Sequence, residues 1–172
     1  MNKTVTTAYT RERLYRFNKY VVFSRKLIFI LLIIISLYVA VADIFFRVFF
    51  DSRSFDLITL FTFLFDLLYF IFLLIAVRMG AKKSKSLDKN VTAEFSDDRI
   101  SIDLSSDEVD ERSSVSYSFF LKVCENKGDL YLFISPNSAY IVDITSFSEQ
   151  EKRELRAIFY TKLGAKKVKW KI

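Results

Sequence analysis

Two long apolar runs in the first half of the chain predict membrane-spanning helices. Residues 27–46 are interrupted by one serine and one aspartate, and residues 57–77 by two threonines and Asp66. As a helix each run is about 30 Å long, which matches the hydrocarbon thickness of a bilayer. Both are hydrophobic on every side, whereas a helix of a soluble protein buries one stripe. We therefore expect residues 27–77 to form a transmembrane hairpin of these two helices.

The first run also contains Ala40-Val41-Ala42, which resembles a signal-peptide cleavage site. However, 26 residues with seven basic side chains precede the run, which is far longer than a usual basic leader region. The apolar run also continues beyond the site. A retained helix is the favoured interpretation, and cleavage is the alternative.

The basic residues around the two runs predict the orientation of the hairpin. Seven Lys and Arg residues precede the first run and five follow the second up to residue 89, whereas residues 47–56 carry two. Because basic residues concentrate in cytoplasmic flanks, both termini are expected in the cytoplasm, as in a multi-pass plasma-membrane protein. Residues 1–26 are then a cytoplasmic segment with an amphipathic helix, and residues 78–90 a basic cytoplasmic linker.

After residue 90 the pattern changes to short β-rich runs separated by turn residues. Residues 99–104 alternate, which predicts a strand with Ile100, Ile102 and Leu104 on one face. The other β-rich runs are 91–95, 113–123, 130–134 and 139–144. Together the five strands predict a curved antiparallel meander.

One amphipathic helix is predicted to close this sheet. Ser148 and Glu151 form the pattern of a capping box, apolar residues then recur at helical spacing, and Gly164 ends the helix. The expected fold class is α+β: a two-helix transmembrane hairpin and a small cytoplasmic β-domain over residues 91–164. A domain of about 75 residues has a small core, so residues 3–9 are a candidate for an extra strand.

Several motifs follow one another along the chain in a characteristic order. They are residues 9–20 before the hairpin, then Glu94-Phe95-Ser96-Asp97-Asp98, residues 117–125, residues 130–134, and Phe147 before a charged helix. In that order they resemble the bacterial YcxB-like membrane proteins over nearly the whole chain, although Asp143-Ile144 stands where that family has Pro-Lys. The resemblance implies a pleckstrin-homology-like cytoplasmic domain on a two-helix anchor and implies no assigned activity.

The composition excludes several kinds of active site. The chain has no His, three Gly and a single Cys, Cys124, which we expect to be a buried side chain. Without His there is no Ser-His-Asp triad and no Cys/His zinc site, and three isolated glycines form no phosphate loop. The acidic residues 107–111 lack the pattern of a calcium loop. We therefore expect no enzyme, no metal and no cofactor.

Polar residues within the apolar runs are the first candidate site. Asp66 lies near the middle of the second run, where a charge costs about 3 kcal/mol. Helical spacing places Thr59 and Thr62 on its face, and likewise Ser36 and Asp43 on one face of the first run. One antiparallel register puts Ser36 opposite Asp66. A hydrogen bond that fixes the hairpin or an oligomer is the favoured role, and a proton or ion path the alternative.

Basic residues flanking the membrane are the second candidate site. The net charge of +6 divides into +8 for residues 1–89 and −2 for residues 90–172, which indicates topology rather than nucleic-acid binding. Membrane docking is the favoured interpretation of the tail 165–172, and a last edge strand or a loose tail are the alternatives. The expected lipid contacts are Lys82, Lys83, Lys85, Lys166, Lys167, Lys169, Trp170 and Lys171.

The sequence thus predicts a bacterial membrane protein whose cytoplasmic domain binds a partner and has no catalytic activity of its own. The expected partners are the lipid bilayer and a protein or a second copy, with no nucleic acid. The alternative is a subunit of a small oligomeric transporter or channel that uses Asp66.

Overall fold

A computed structural model of the chain describes residues 2–24, 26–50, 54–105 and 110–170. Within these ranges the fold is α+β, with four α-helices and two four-stranded sheets. The helices are α1 (Arg11–Ser24), α2 (Lys26–Phe50), α3 (Ser54–Lys82) and α4 (Glu149–Leu163). The strands are β1 (Lys3–Ala8), β2 (Asn90–Phe95), β3 (Arg99–Ser105), β4 (Asp110–Ser116), β5 (Lys122–Asn126), β6 (Asp129–Phe133), β7 (Ala139–Asp143) and β8 (Val168–Lys169).

The chain divides into two compact units, and the first of them is discontinuous. Met1–Phe17 and Ser84–Ile172 form one unit, here called the domain, and Asn18–Lys83 forms the other, here called the helical unit. The predicted domain began at residue 91. The N-terminal residues belong to it because β1 pairs with β2 in antiparallel fashion along its whole length. The candidate extra strand at residues 3–9 is thereby confirmed.

The helical unit contains α2 and α3, which begin and end within a few residues of the predicted helices. Of the described residues, Leu60–Lys82 in α3 is long and apolar enough to cross a membrane, with 23 residues and a mean hydropathy of 2.6. The apolar stretch described in α2, Ile30–Ala42, is too short to meet this requirement, so the predicted two-helix transmembrane hairpin is not confirmed. The fold therefore contains both predicted helices, and one of them has the length and composition of a membrane span on its own.

The domain has two sheets, whereas the sequence predicted a single meander. The first sheet has the order β1-β2-β3-β4 and the second β7-β6-β5-β8, with β8 parallel to β5. The predicted strand 113–123 is broken by a 3₁₀ turn at Tyr117–Phe119. In this turn the buried Tyr117 donates a hydrogen bond to the Ser96 carbonyl at 2.7 Å and packs edge-on against Phe159 at 5.2 Å. The backbone turns because this ring is anchored in the core.

The predicted C-terminal helix is confirmed with its capping box. The Ser148 hydroxyl accepts a hydrogen bond from the Glu151 amide, and the Glu151 carboxylate accepts one from the Ser148 amide. Leu155 and Phe159 are fully buried, and Gly164 follows the helix with φ of 82°. The helix therefore covers the core with the face that the spacing of its apolar residues indicated.

Strand β1 and Tyr9, which follows it, also join the first sheet to the second through their side chains. The Thr7 hydroxyl accepts a hydrogen bond from the Asp143 amide at 2.8 Å, and the buried Tyr9 hydroxyl accepts one from the Ile141 amide at 2.7 Å. Burial raises the pKa of Tyr9 strongly, and the hydrogen bond from Ile141 opposes this only in part. Both bonds satisfy amides on the outer edge of β7, which would otherwise be a free sheet edge.

Candidate functional site

The described part of the domain contains a surface groove of about 730 Å³ at one end of the second sheet. Its walls are the turn at residues 125–128 between β5 and β6, the first turns of α4, Ile144 and Trp170. Apolar and polar surfaces both line it. The groove therefore has the size and the mixed lining of a site for a small ligand or a short segment of a partner.

The turn that forms one wall has a fixed backbone. Lys127 and Gly128 both have positive φ, 54° and 81°, as the two central residues of a tight hairpin require. A Cβ at Gly128 would lie 2.5 Å from Cγ2 of Thr145, so only glycine fits here. The Gly128 amide donates to the Glu125 carboxylate at 3.1 Å. This wall is therefore rigid, and the Glu125 carboxylate is engaged by the turn.

The groove is positively charged overall. Four basic residues line it, against two acidic ones: Lys127, Lys152, Arg153, Arg156, Glu125 and Glu149. Lys152 lies 2.8 Å from Glu149, and its hydrogen bond lowers the pKa of that carboxyl, so this acid is paired. The Arg156 guanidinium lies 5.3 Å from the centre of the Tyr160 ring. The remaining cations make the groove suited to an acidic ligand.

Trp170 forms the aromatic part of the groove. Its ring is partly exposed and lies 6.5 Å, centre to centre, from the buried Phe159. It is positioned by β8, in which Val168 pairs with Val123 and Lys169 with Cys124. Within the tail 165–172, Val168 and Lys169 therefore form the edge strand that is one of the alternatives.

A buried ionic cluster holds the start of α1 against the second sheet. Asp129 is 1% exposed, and its Oδ1 accepts a hydrogen bond from Nε of Arg13 at 2.8 Å. Nη2 of Arg13 donates to Asp143 at 2.6 Å, and Nη2 of Arg16 lies 3.0 Å from Oδ2 of Asp129. Sequence reasoning missed this cluster, because its members are ordinary charged residues separated by more than 100 positions.

The two acids of this cluster respond to it in opposite ways. Burial raises the pKa of Asp129, and the charges of Arg13 and Arg16 oppose this without cancelling it. Burial also acts on Asp143, but hydrogen bonds from Thr145 and Arg13 outweigh it and lower the pKa of that carboxyl. Asp129 is therefore the member whose charge depends most on its arginine partners.

The helical unit brings two of the predicted intramembrane polar residues together. The Ser36 hydroxyl donates a hydrogen bond to the Asp66 carboxylate, as the antiparallel register predicted. Ser36 is buried, and Asp66 and Thr62 are partly buried between the helices' exposed apolar side chains. The side chains of Asp43 and Thr59 lie outside the described residues.

The predicted lipid-contacting lysines fall in several places. Lys82 and Lys83, in the helical unit, are exposed at and just after the end of α3, and Lys85 is exposed in the domain. Lys166 and Lys167 are exposed in a 3₁₀ turn before β8, and Lys169 is exposed in β8 itself. Lys171 and residues 106–109 of the acidic loop lie outside the described residues.

Metal ligands and reactive thiols add no further site among the described residues. In these ranges no three His, Cys, Asp or Glu side chains lie where they could hold a metal ion. Cys124 is fully buried in β5, as expected for a small core side chain.

The comparisons with known proteins return nothing: no family model, curated protein or solved structure matches this chain.

Proposed function

We propose that the protein is a membrane-anchored binding module, which presents the basic groove of its domain to an acidic partner in the cytoplasm. The observation that carries the proposal is the groove itself, with four basic and two acidic residues beside the partly exposed Trp170. The proposed role is binding without chemistry, since the groove's walls hold no pair of a nucleophile and a base.

The anchor in this proposal is a hairpin of two membrane helices, and the topology of the domain supports it. β1 lies before the helices and β2 after them, and the two strands are paired from Lys3↔Phe95 to Ala8↔Asn90. Hydrogen-bonded strands cannot lie on opposite sides of a hydrocarbon layer about 30 Å thick. The intervening chain must therefore cross the membrane an even number of times. If α3 crosses once, α2 crosses as well.

The resemblance to YcxB-like membrane proteins fits the same proposal, because it implies a domain like a pleckstrin-homology domain on a two-helix anchor. The distribution of basic residues favours a cytoplasmic domain, with seven and five on its side and two in the loop. Single-cysteine labelling in intact bacterial cells tests this. In a Cys124→Ala background, Ser52→Cys should react with a membrane-impermeant maleimide and the exposed Ser138→Cys should react only after permeabilisation. The reverse pattern would contradict the orientation.

Photo-crosslinking tests the binding role. A benzophenone amino acid at Arg153, inside the groove, should capture a specific partner, whereas the same probe at the exposed Thr161 near the end of α4, away from the groove, serves as the matched control. Charge reversal by Arg156→Glu should remove the adduct at Arg153, because an acidic partner is then repelled. The same adducts from both positions, or an adduct that persists after charge reversal, would refute the proposal.

The Ser36–Asp66 hydrogen bond bears on the alternative, a transporter subunit. It gives Asp66 a partner within its own helical unit. Polar pairs of this kind contribute about 1 kcal/mol to helix association in membranes. We therefore propose that Asp66 holds the hairpin together.

A further inference from the structure

Three large apolar side chains are exposed on the described part of the domain. They are Phe119, Leu121 and Ile134, with 53%, 50% and 37% of their surface exposed. The other exposed large apolar residues of the described chain belong to the helical unit. The three are therefore an exception on a domain that otherwise buries its large apolar residues.

The three residues lie at one end of the second sheet. The Leu121 amide donates a hydrogen bond to the Phe133 carbonyl at 2.8 Å, one step beyond the Lys122↔Phe133 pair of β5 and β6. Leu121 and Lys122 thus both lie opposite Phe133, the residue before Ile134, and Phe119 comes two residues before Leu121 in the 3₁₀ turn. We call these three residues the apolar patch. It lies at the opposite end of the β5–β6 hairpin from the groove.

Residues 11–17 of α1, which belong to the domain, run beside β6 toward the end of the sheet that carries the apolar patch. Arg13 contacts Asp129, the first residue of β6, and the Phe17 ring packs against Phe133, the last, at 5.9 Å.

Basic side chains lie beside the apolar patch. The Lys122 ammonium is 5.2 Å from the centre of the Phe133 ring. Lys166 and Lys167 are exposed immediately before Val168, which pairs with Val123. Since β8 is parallel to β5, these two lysines lie at the same end of the sheet as Lys122. Such a set of apolar side chains with lysines around them is typical of a surface that contacts anionic lipid.

We propose that the apolar patch inserts into the interface of an anionic bilayer, while Lys122, Lys166 and Lys167 contact lipid phosphates. The proposal gives two of the predicted lipid-contacting lysines, Lys166 and Lys167, a place on this surface. It leaves Trp170 to the groove at the other end of the sheet. It is independent of what the groove binds, because the two surfaces share no residue.

Fluorescence quenching by brominated lipid tests this in the full-length protein. Trp170 is the only tryptophan, so Trp170→Phe gives a background in which one new tryptophan reports its own surroundings. Leu121→Trp places the probe in the patch, and Ser146→Trp places it at an exposed position after β7, near the other end. The host is a vesicle of phosphatidylglycerol and phosphatidylethanolamine with brominated acyl chains.

Quenching should be at least about twofold stronger for Leu121→Trp than for Ser146→Trp, because interfacial apolar groups lie roughly 5–10 Å into the boundary between headgroups and acyl chains. Phe119→Trp should behave like Leu121→Trp, which guards against a defect of one variant. Equal quenching at positions 121 and 146 would overturn the proposal. So would a fluorescence change at position 121 that depends on protein concentration and not on brominated lipid, since it would assign the patch to a second copy.

Discussion

The ionic cluster around Asp129 predicts that Arg13→Met destabilises the domain far more than its position near the N-terminus suggests. Arg13 donates to Asp129, to Asp143 and to the Ala8 carbonyl. Its loss leaves the Asp129 carboxylate, which is 1% exposed, with Arg16 as its remaining cation at 3.0 Å. Removing one partner of a buried ion pair costs about 3–5 kcal/mol. Because Arg16 remains, we expect about 3 kcal/mol, the lower end of that range.

Urea titration of the full-length protein in detergent micelles measures this cost. Trp170 is the only tryptophan, it belongs to the domain and it packs near Phe159, so its fluorescence reports the unfolding of the domain. With a slope of about 1–2 kcal/mol per molar urea, the midpoint should fall by roughly 2 M. The matched control is Arg11→Met in the same helical turn, where the side chain is exposed and the expected change is below about 0.5 kcal/mol.

A second substitution distinguishes the cost of the buried Asp129 charge from the cost of the contacts that Arg13 loses. In Arg13→Met the added Asp129→Asn removes the buried carboxylate that has lost one of its two cations, so the double variant should recover part of the stability. The defect of Arg13→Met should also shrink as the pH falls toward about 4. Burial raises the pKa of the Asp129 carboxyl, so the folded state takes up a proton more readily than the unfolded state. The stability that this protonation contributes is present at low pH and is lost as the pH rises through the folded pKa. A midpoint equal to that of Arg11→Met, or no recovery in the double variant, would refute the reasoning.

Further substitutions test the β5–β6 turn, the Lys3–Glu151 ion pair and the Ser36–Asp66 hydrogen bond. Gly128→Ala should lower the free energy of unfolding by about 2–3 kcal/mol in the same urea titration, because of the positive φ and the contact with Thr145. Adding Thr145→Ser, which lacks Cγ2, should restore part of this loss; no recovery would show that the clash is unimportant. Glu151→Gln keeps the capping box but loses the charge that Lys3 binds at 2.7 Å. The Lys3 hydrogen bond lowers the pKa of Glu151 to about 2. The wild type should therefore be more stable than Glu151→Gln above about pH 4.5 and lose this advantage as the pH falls toward 2. A stability difference that does not change with pH would contradict this prediction. In a steric-trapping assay in bilayers, Asp66→Leu should lower the free energy of helix association by about 1 kcal/mol, whereas Asp66→Asn should keep it unchanged. Equal behaviour of the two variants would show that the Ser36–Asp66 hydrogen bond does not hold the helices together.

The local patterns of the sequence predicted the elements well where neighbouring residues determine them. The alternation at 99–104 gave β3, and Ser148 with Glu151 gave the start of α4. The run 113–123 predicts one strand, because its alternation continues through Tyr117, and this prediction is wrong. Only the tertiary contacts of that ring with Ser96 and Phe159 show why the chain must turn there.

The candidate site was harder to predict, because its residues come from distant parts of the chain. The groove combines a turn after β5 with α4 and with Trp170, and no spacing along the sequence links them. The tail alternates lysine with apolar residues, a pattern that suits a membrane surface and an edge strand equally well. The pairing of Val168 with Val123 shows that an edge strand forms, but composition alone could not distinguish the two.

The discontinuous domain gives the helical unit a role in the folding of the domain. β1 is synthesised before the two helices and pairs with β2, which is synthesised after them. If residues 9–89 were a flexible chain, closing them would have to be offset by the β1–β2 contacts, at a cost that grows with loop length. An antiparallel helix pair brings its own ends together, and the Ser36–Asp66 hydrogen bond lies within that pair. The helix pair therefore lowers the closure entropy before β1 meets β2. This explains how a strand of six residues can be an integral part of a domain from which the whole helical unit separates it.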